Sequence, residues 1–257
     1  MVEYYQGINL PTQVEDPIPS SEAEDIALPC FFPHPTKFKE HQATTPIELK
    51  EPHATEHTKS KVTEFTEFKY INVPDADPTN VTFFAEVVEH KPRRKLVIKF
   101  VDRYGTEAHE TLAEKGMAPQ LLYYGALDGE EDLRNSTKEG AFEHGLYIGP
   151  LRMVIMEYIK GEPWPRDARE QVKKAIDLLH EKELVFGDLR RQNVLFSGGK
   201  VLLIDFDWAG KEKEVPYPRG LSTRVRWADK PKRLERKLIK REHDNVMLEL
   251  LFPPARR

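Results

Sequence analysis

The sequence reads Leu184-Val185-Phe186-Gly187-Asp188-Leu189-Arg190-Arg191-Gln192-Asn193-Val194-Leu195 and, eight residues later, Leu203-Ile204-Asp205-Phe206-Asp207. Asp188 stands five residues before Asn193, and Asp205 follows after a second apolar run. Between the two runs, Ser197-Gly198-Gly199-Lys200 is typical of a tight β-hairpin. Such a hairpin predicts that Asn193 and Asp205 lie close together.

This ordered set of side chains suits phosphoryl transfer from a nucleotide. One carboxylate can orient an attacking hydroxyl and accept its proton, while an amide oxygen and a second carboxylate hold Mg²⁺ against the phosphates. Each residue also has a structural reading, with Asp188 and Asn193 as turn residues that cap strands and Asp205 as a hairpin charge. The complete set in this order favours the functional reading.

At these residues the sequence resembles the protein-kinase-like superfamily. Phe186-Gly187-Asp188 with Asn193 is similar to the catalytic loop, and Asp205-Phe206-Asp207 to the Asp-Phe-Gly motif. The likeness looks closest to small fungal kinase-like domains (fungal-type protein kinases) and more distant to aminoglycoside phosphotransferases. It implies an α+β, two-lobed kinase-like fold, with a small N-terminal antiparallel β-lobe that carries one helix and a truncated helical C-lobe.

The resemblance also points to a lysine upstream. Val97-Ile98-Lys99 is similar to the strand whose lysine contacts the α- and β-phosphates. Strand alternation places Lys99 on the same face as apolar neighbours, so its ammonium needs a buried partner. The resemblance implies that Glu107, in the following helix, is this partner. Glu110 and Glu114 share roughly the same helix face, and any of the three glutamates also fits a solvated helix position.

Two further parts of the site follow from the resemblance. The segment Met156-Glu157-Tyr158-Ile159 is similar to the hinge, where the backbone of Glu157 and Ile159 would contact adenine. Asn193 and Asp205 would hold Mg²⁺. Asp207, which replaces the glycine of the motif, reads equally as a third Mg²⁺ ligand or as a solvent-facing acid.

The sequence departs from the superfamily pattern in several places. No glycine lies between Gly7 and Gly105, so a glycine-rich phosphate loop is missing, and the candidate turn carries Asp75 and Asp77. Phe186 replaces the usual histidine, which suggests a hydrophobic anchor for the catalytic loop. Only 47 residues follow Gly210, which is short for a C-lobe. Asp244 fits either a buttress of the catalytic loop or a helix cap.

The composition of the chain predicts how it divides into an extension and a domain. Residues 1–60 carry 4 basic and 10 acidic side chains and many prolines, which predicts an acidic, partly irregular N-terminal extension over 1–61. The kinase-like domain is expected over 62–257, with an N-lobe at about 62–156, a hinge at 157–161 and a C-lobe at 162–257. The net charge is −4 and Cys30 is the only cysteine, which excludes an intramolecular disulfide and suits a reducing compartment.

The hydrophobic pattern predicts short strands and three longer helices. The strands are Phe68–Val73, Val81–Val88, Leu96–Val101, Leu151–Met156, Asn193–Phe196 and Val201–Ile204. The helices are Glu107–Lys115 before a Gly116 cap, Arg166–Leu184 with Val172, Ile176 and Leu179 on one face, and Glu242–Leu250. The basic segment at 230–241 is expected to form an amphipathic helix with a solvated basic face, and its sharper readings are docking of an acidic partner or nuclear import.

The functional expectation is a kinase-like phosphotransferase that uses ATP and Mg²⁺ and a hydroxyl acceptor, on a protein or a small molecule. Its rival is a pseudokinase that binds nucleotide or protein without turnover. No membrane or nucleic-acid partner is expected. A monomeric, cytoplasmic protein is expected, with a nuclear location open through the basic segment.

Overall fold

A computed structural model describes residues 35–40, 65–72, 81–88, 94–130, 133, 141–143, 146–148 and 150–253. Its strands are β1 (Lys37–Lys39), β2 (Phe65–Asn72), β3 (Thr82–Val87), β4 (Lys95–Val101), β5 (Leu121–Gly125), β6 (Ala141–Glu143), β7 (Leu146–Ile148), β8 (Arg152–Glu157), β9 (Leu184–Val185), β10 (Val194–Ser197), β11 (Lys200–Leu203) and β12 (Gly210–Lys211). Its α-helices are α1 (Thr106–Ala113), α2 (Ala168–Glu181), α3 (Pro231–Leu234) and α4 (Arg241–Leu251), and a 3₁₀ turn spans Arg191–Asn193.

The largest sheet is antiparallel throughout and has the strand order β1-β2-β3-β4-β8-β5. Its central strand β4 is rich in β-branched and aromatic residues, which suits a strand that is buried on both faces. Lys99 lies in this strand, opposite Thr82 of β3 and Val154 of β8. The backbone at Lys99 is therefore held by a paired strand on each side, which fixes the point from which its side chain starts.

Side chains of β4 alternate between two hydrophobic clusters. Leu96, Ile98 and Phe100 pack on one face of the sheet, whereas Val97 and Val101 face the helices on the other. Lys99 follows the same alternation and enters the helical side. The expectation that Lys99 shares a face with Val97 and Val101 is thus confirmed.

The helical part of the described chain packs around α2. Val172, Ile176 and Leu179 are fully buried along one stripe of this helix, as the sequence pattern predicts. Two small antiparallel pairs, β10 with β11 and β9 with β12, lie next to it and carry the segments around Asp188 and Asp205. The Ser197–Lys200 hairpin forms as expected.

The fold is mixed α and β with a mostly antiparallel sheet. Its division into two lobes stays a prediction. β5 is a strand that the sequence pattern did not predict. β1 lies inside the predicted N-terminal extension. It nevertheless belongs to the sheet, because it pairs with β2 and its Phe38 is fully buried. The predicted phosphate-loop turn around Asp75 lies outside the described residues.

The basic segment differs from its expectation. Instead of one amphipathic helix over 230–241, only Pro231–Leu234 is helical. Arg236 takes a left-handed conformation with φ of 64°, and Lys237 accepts a hydrogen bond from the N–H of Tyr217 at 2.9 Å. The chain leaves the helix here because Leu234 and Ile239 must both reach the core. In the part of the chain that the structure describes, no helix has the length and apolar character needed to cross a membrane.

Candidate active site

Lys99 forms the centre of a buried ion cluster. Its Nζ donates to Asp205 Oδ1 at 2.5 Å and to Asp207 Oδ2 at 2.6 Å, and the residue is only 3% exposed. Burial alone would lower the pKa of Lys99, but attraction to Asp205 and Asp207 outweighs it and holds the pKa above its ordinary value. The lysine is therefore charged, and it forms ion pairs with two acids that lie more than a hundred residues after it in the chain.

The two acids flank a buried aromatic ring. Asp205 has φ of 70°, a left-handed backbone that is rare outside glycine and turns the chain sharply after β11. Phe206 is fully buried, stacks on His109 with centroids 4.5 Å apart and planes at 4°, and meets Phe186 edge-on at 5.4 Å. This packing fixes the segment and directs the carboxylates of Asp205 and Asp207 towards Lys99.

His109 is held as a neutral ring below Phe206. Burial lowers the pKa of His109 to about 4. Its Nε2 must donate to the carbonyl of Pro119 at 2.8 Å, so its Nδ1 accepts from the hydroxyl of Tyr104 at 2.9 Å. A neutral ring with both nitrogens satisfied makes a rigid support for Phe206.

The catalytic-loop candidate residues meet at Asp188. Asn193 donates from Nδ2 to the Asp188 carbonyl and to its Oδ2, each at 2.9 Å, and Arg190 donates from Nη2 to the same Oδ2 at 2.5 Å. Desolvation raises the pKa of Asp188 to about 6, with repulsion from Asp205 in the same direction and with Arg190 and Asn193 opposing. Asp188 Oδ1 is buried and has no hydrogen-bond partner among the described residues.

Asp207 also faces the cluster. Its side chain is 28% exposed and its Oδ2 accepts from Lys99, so its two readings, Mg²⁺ ligand or solvent-facing acid, both stay predictions. Desolvation raises the pKa of Asp207 to about 7, and repulsion from Asp205 adds to the rise against the attraction of Lys99. In contrast, Lys99 holds the pKa of Asp205 below its ordinary value despite burial. Asp207 Oδ1, like Asp188 Oδ1, is buried without a hydrogen-bond partner in the described structure.

Asp244 supports the predicted catalytic loop from α4. It is fully buried and accepts hydrogen bonds from the backbone N–H groups of Phe186 at 2.9 Å and Gly187 at 2.8 Å. His180 of α2 approaches its Oδ2 at 3.1 Å. Of the two sequence readings, the buttress is confirmed. Phe186 is fully buried, in agreement with its expected role as an anchor.

The structure does not bring Glu107 to Lys99. Glu107 lies on the exposed side of α1, whose buried residues are Ala108, His109, Thr111 and Leu112. No ion pair joins Glu107 and Lys99 in the described part of the chain, and Asp207 takes the place expected for the glutamate. The other glutamates of the helix do not replace it, since Glu110 is only half-buried and Glu114 is exposed.

The predicted hinge follows β8 directly. The N–H of Glu157 donates to Gln120 at 3.1 Å, and its carboxylate lies 3.6 Å from Arg94. Ile159 packs against an apolar cluster formed by Leu195, Leu202 and Ile204. These three side chains lie on the β10–β11 hairpin, on the face opposite the main core.

Arg190 is a functional candidate that the sequence reasoning missed. Its guanidinium lies 5.9 Å from the ring centre of Trp208 and 5.4 Å from that of Trp227, and the two indoles are themselves 5.6 Å apart. The signal available in the sequence was a cation two residues after Asp188. The two tryptophans, far apart in sequence, could not be assigned to it without the fold.

The residues present fit a magnesium ion. Asp205, Asp207 and Asn193 offer oxygen ligands, and the unpartnered Asp207 Oδ1 can accept a cation. No group of three or more His, Cys, Asp or Glu side chains in the described part could hold a metal by itself. This agrees with the preference of Mg²⁺ for one or two carboxylates together with substrate phosphates over an all-protein cage.

Comparisons with known proteins found a similar solved structure and no matching family. No family model and no curated protein matches the chain. Among solved structures, the chain is similar to the kinase PK-1 of Cydia pomonella granulovirus, with a TM-score of 0.45 and 13% sequence identity. The match covers 72% of this chain and 68% of the viral chain. The resemblance to fungal kinase-like domains stays a prediction, and the site residues, rather than this likeness, carry the functional assignment.

Proposed function

We propose that this protein is an ATP-dependent phosphotransferase of the protein-kinase-like superfamily, which transfers the γ-phosphoryl group to a hydroxyl acceptor. The observation that carries the proposal is the buried contact of Lys99 with Asp205 and Asp207, next to Asp188 and Asn193. Burying Lys99 and Arg190 with three carboxylates has a large desolvation cost. Such an arrangement supports a functional origin, because strongly perturbed acids cluster at active sites.

In this proposal each residue has one task. Lys99 moves from the carboxylates to the phosphates, and Asp205, Asp207 and Asn193 hold Mg²⁺, which neutralises charge on the phosphates when bound. Asp188 orients the acceptor hydroxyl and takes its proton. The acceptor oxygen bonds to the γ-phosphorus while the bond from that phosphorus to the bridging oxygen breaks, and ADP leaves. Because phosphoryl transfer requires little covalent chemistry from the protein, positioning and charge neutralisation supply most of the acceleration.

The nucleotide base has a matching surface. Ile159, Leu195, Leu202 and Ile204 form an apolar cluster beside the segment that follows β8. An apolar surface beside this segment suits a purine ring. One chain supplies every group in the proposal, so a monomer suffices.

A non-catalytic binding module is the second candidate. In its favour, the Lys99 ammonium is already shared by two carboxylates, and the sequence has no glycine-rich phosphate loop. Thermal shift with millimolar ATP, with and without Mg²⁺, tests both candidates for nucleotide binding, because a bound ligand raises the melting temperature. Absence of a shift would contradict the proposed reaction.

Substitution of Asp188 tests the chemistry itself. We expect Asp188→Asn to lower phosphate transfer from γ-labelled ATP by about 10²–10⁴-fold, since the asparagine cannot accept the proton. Nucleotide binding should stay within a few-fold of wild type. The matched control is Asp177→Asn, which removes a partly exposed carboxylate paired with Lys173 and should leave transfer unchanged. Equal transfer by wild type and Asp188→Asn would exclude the assigned role.

A further inference from the structure

A loop of unusual charge lies beside Asp188. We call residues 219–227 the arginine loop, because it contains Arg219, Arg224 and Arg226 and no acidic residue. All three arginines are exposed. Within the described structure none of them forms an ion pair, a hydrogen bond from its side chain or a ring contact. The loop thus presents three cations that the described part of the fold does not pair.

The arginine loop is nevertheless held in a defined conformation. Trp227 donates from Nε1 to the carbonyl of Ser222 at 2.8 Å, which closes the loop on itself. Leu221 and Trp227 are buried, and Val225 packs against the main core. Since these apolar side chains point inward, the arginines between and beside them are directed to solvent. Fixed cations lose less conformational entropy on binding than cations on a mobile loop.

Trp227 links this loop to the reaction centre. Its ring lies 5.4 Å from the Arg190 guanidinium, which in turn donates to Asp188 Oδ2 at 2.5 Å. Arg226 directly precedes Trp227 in the chain. The Trp227 end of the arginine loop therefore lies beside Arg190, which contacts the carboxylate that would accept the proton of the acceptor hydroxyl.

From this geometry we infer that the arginine loop binds the acceptor and that the acceptor is an acidic polypeptide segment, with carboxylates flanking the hydroxyl residue. The inference rests on the proposed function and extends it to a substrate class. Three exposed guanidinium groups at separate positions of one loop suit an extended chain with several separated carboxylates. Complementary charge of this kind increases both specificity and association rate.

Peptide binding tests the inference without requiring turnover. A fluorescein-labelled peptide with one serine between runs of glutamate is compared by anisotropy with the same peptide carrying glutamine. We expect the full chain to bind the acidic peptide at least about tenfold more tightly at low salt, with the preference falling as salt is raised. Equal binding of the two peptides, or tighter binding of a labelled single-stranded oligonucleotide than of the acidic peptide, would overturn the inference.

A triple substitution assigns the preference to the loop. Arg219→Gln, Arg224→Gln and Arg226→Gln together should remove most of the acidic preference while keeping the melting temperature, because all three side chains are exposed. The control, Lys115→Gln with Lys174→Gln and Lys200→Gln, removes the same charge at exposed positions outside the loop and should bind as wild type. Equal loss of preference in the loop variant and in the control would show a general charge effect and contradict the loop assignment.

Phosphate transfer to the same peptides separates this inference from the proposed function. Transfer to both peptides at equal rates would leave the phosphotransferase standing and overturn the acidic specificity. Binding of the acidic peptide without any transfer would contradict the proposed reaction and support the loop as a binding surface.

Discussion

Arg190 owes its position to two indole rings from different parts of the chain. Trp208 follows Asp207 directly, and Trp227 lies in the arginine loop. Because the guanidinium donates to Asp188, any change in its position alters the charge environment of that carboxylate.

Trp227→Leu tests this connection. With its support removed, Arg190 should stabilise the Asp188 carboxylate less well, so the pKa of Asp188 should rise above about 6. We expect the acid limb of the profile of kcat against pH to move to higher pH. Trp227→Phe keeps an aromatic ring and should restore much of the wild-type profile. Lower activity with an unmoved acid limb would contradict the role of Trp227 in positioning Arg190.

Asp207 makes stability depend on pH in an unusual direction. Its pKa is raised to about 7 in the folded protein, from an ordinary value of 3.8. Between these values the folded state binds more protons than the unfolded state, so this residue lowers the free energy of unfolding as pH rises. We expect Asp207→Asn to lose less stability than wild type between pH 5 and pH 8 in urea denaturation. A steeper loss in the variant would contradict the raised pKa.

The sequence could predict part of this site. Lys99, Asp188, Asn193 and Asp205 were found by spacing and by resemblance, and the structure brings them together. The partner of Lys99 was missed, because Glu107 and Glu110 of α1 and Glu114 directly after it have suitable spacing, and the sequence does not show which side of the helix is buried. In the fold, the buried side of α1 carries Ala108 and Leu112 instead.

The predicted catalytic loop, as an element, depends on one glycine. Gly187 has φ of 80°, and a Cβ there would lie 2.8 Å from Ile239 Cδ1 and 3.2 Å from the Trp208 carbonyl oxygen. We expect Gly187→Ala to destabilise the protein by about 2–3 kcal/mol, since backbone strain and crowding add. Gly198→Ala is the matched control: its φ is 56° and nothing lies within 4 Å of the added carbon, so only about 1 kcal/mol is expected. Urea denaturation of both variants checks the difference, and equal losses would show that crowding at Gly187 has no effect.

Elements with a clear period were predicted within a few residues, and others were not. α2 has a helical pattern that the burial of one stripe confirms, whereas β4 is a run of β-branched and aromatic residues that is buried on both faces. β5 was missed because Leu121–Gly125 is a short continuous apolar run, which does not distinguish strand from helix. The basic segment failed as a helix because the partner of Lys237 is Tyr217, a distant residue that no local pattern contains.

At the scale of the whole molecule, the sheet extends into the chain before residue 62. Phe38 of β1 is fully buried and packs against Phe68 and Tyr123, with ring centres 6.1 and 6.0 Å away. The N–H of Lys39 donates to the Gly129 carbonyl at 2.9 Å. A boundary based on composition places this strand in an extension, since three residues are too few to raise a hydrophobic signal above an acidic background.

Phe38→Ala measures the contribution of this strand. Removing a fully buried phenylalanine should lower the free energy of unfolding by about 3–5 kcal/mol. Phe65→Ala, on the partner strand β2, is the control and should lose less stability because Phe65 is only half-buried.

A chain beginning at residue 62 should melt at a lower temperature than the full chain. Equal melting temperatures would support the boundary that composition suggests.

The parallel contact of His109 with Phe206 has a spectroscopic consequence. With ring centres 4.5 Å apart and planes at 4°, the carbon-bound imidazole protons lie in the shielding region of the phenyl ring, so their NMR signals should appear upfield of ordinary histidine. Phe206 stands between the two acids that contact Lys99. A displacement of these acids that also moves the ring would change the histidine shifts, which makes His109 a natural reporter of the state of the site.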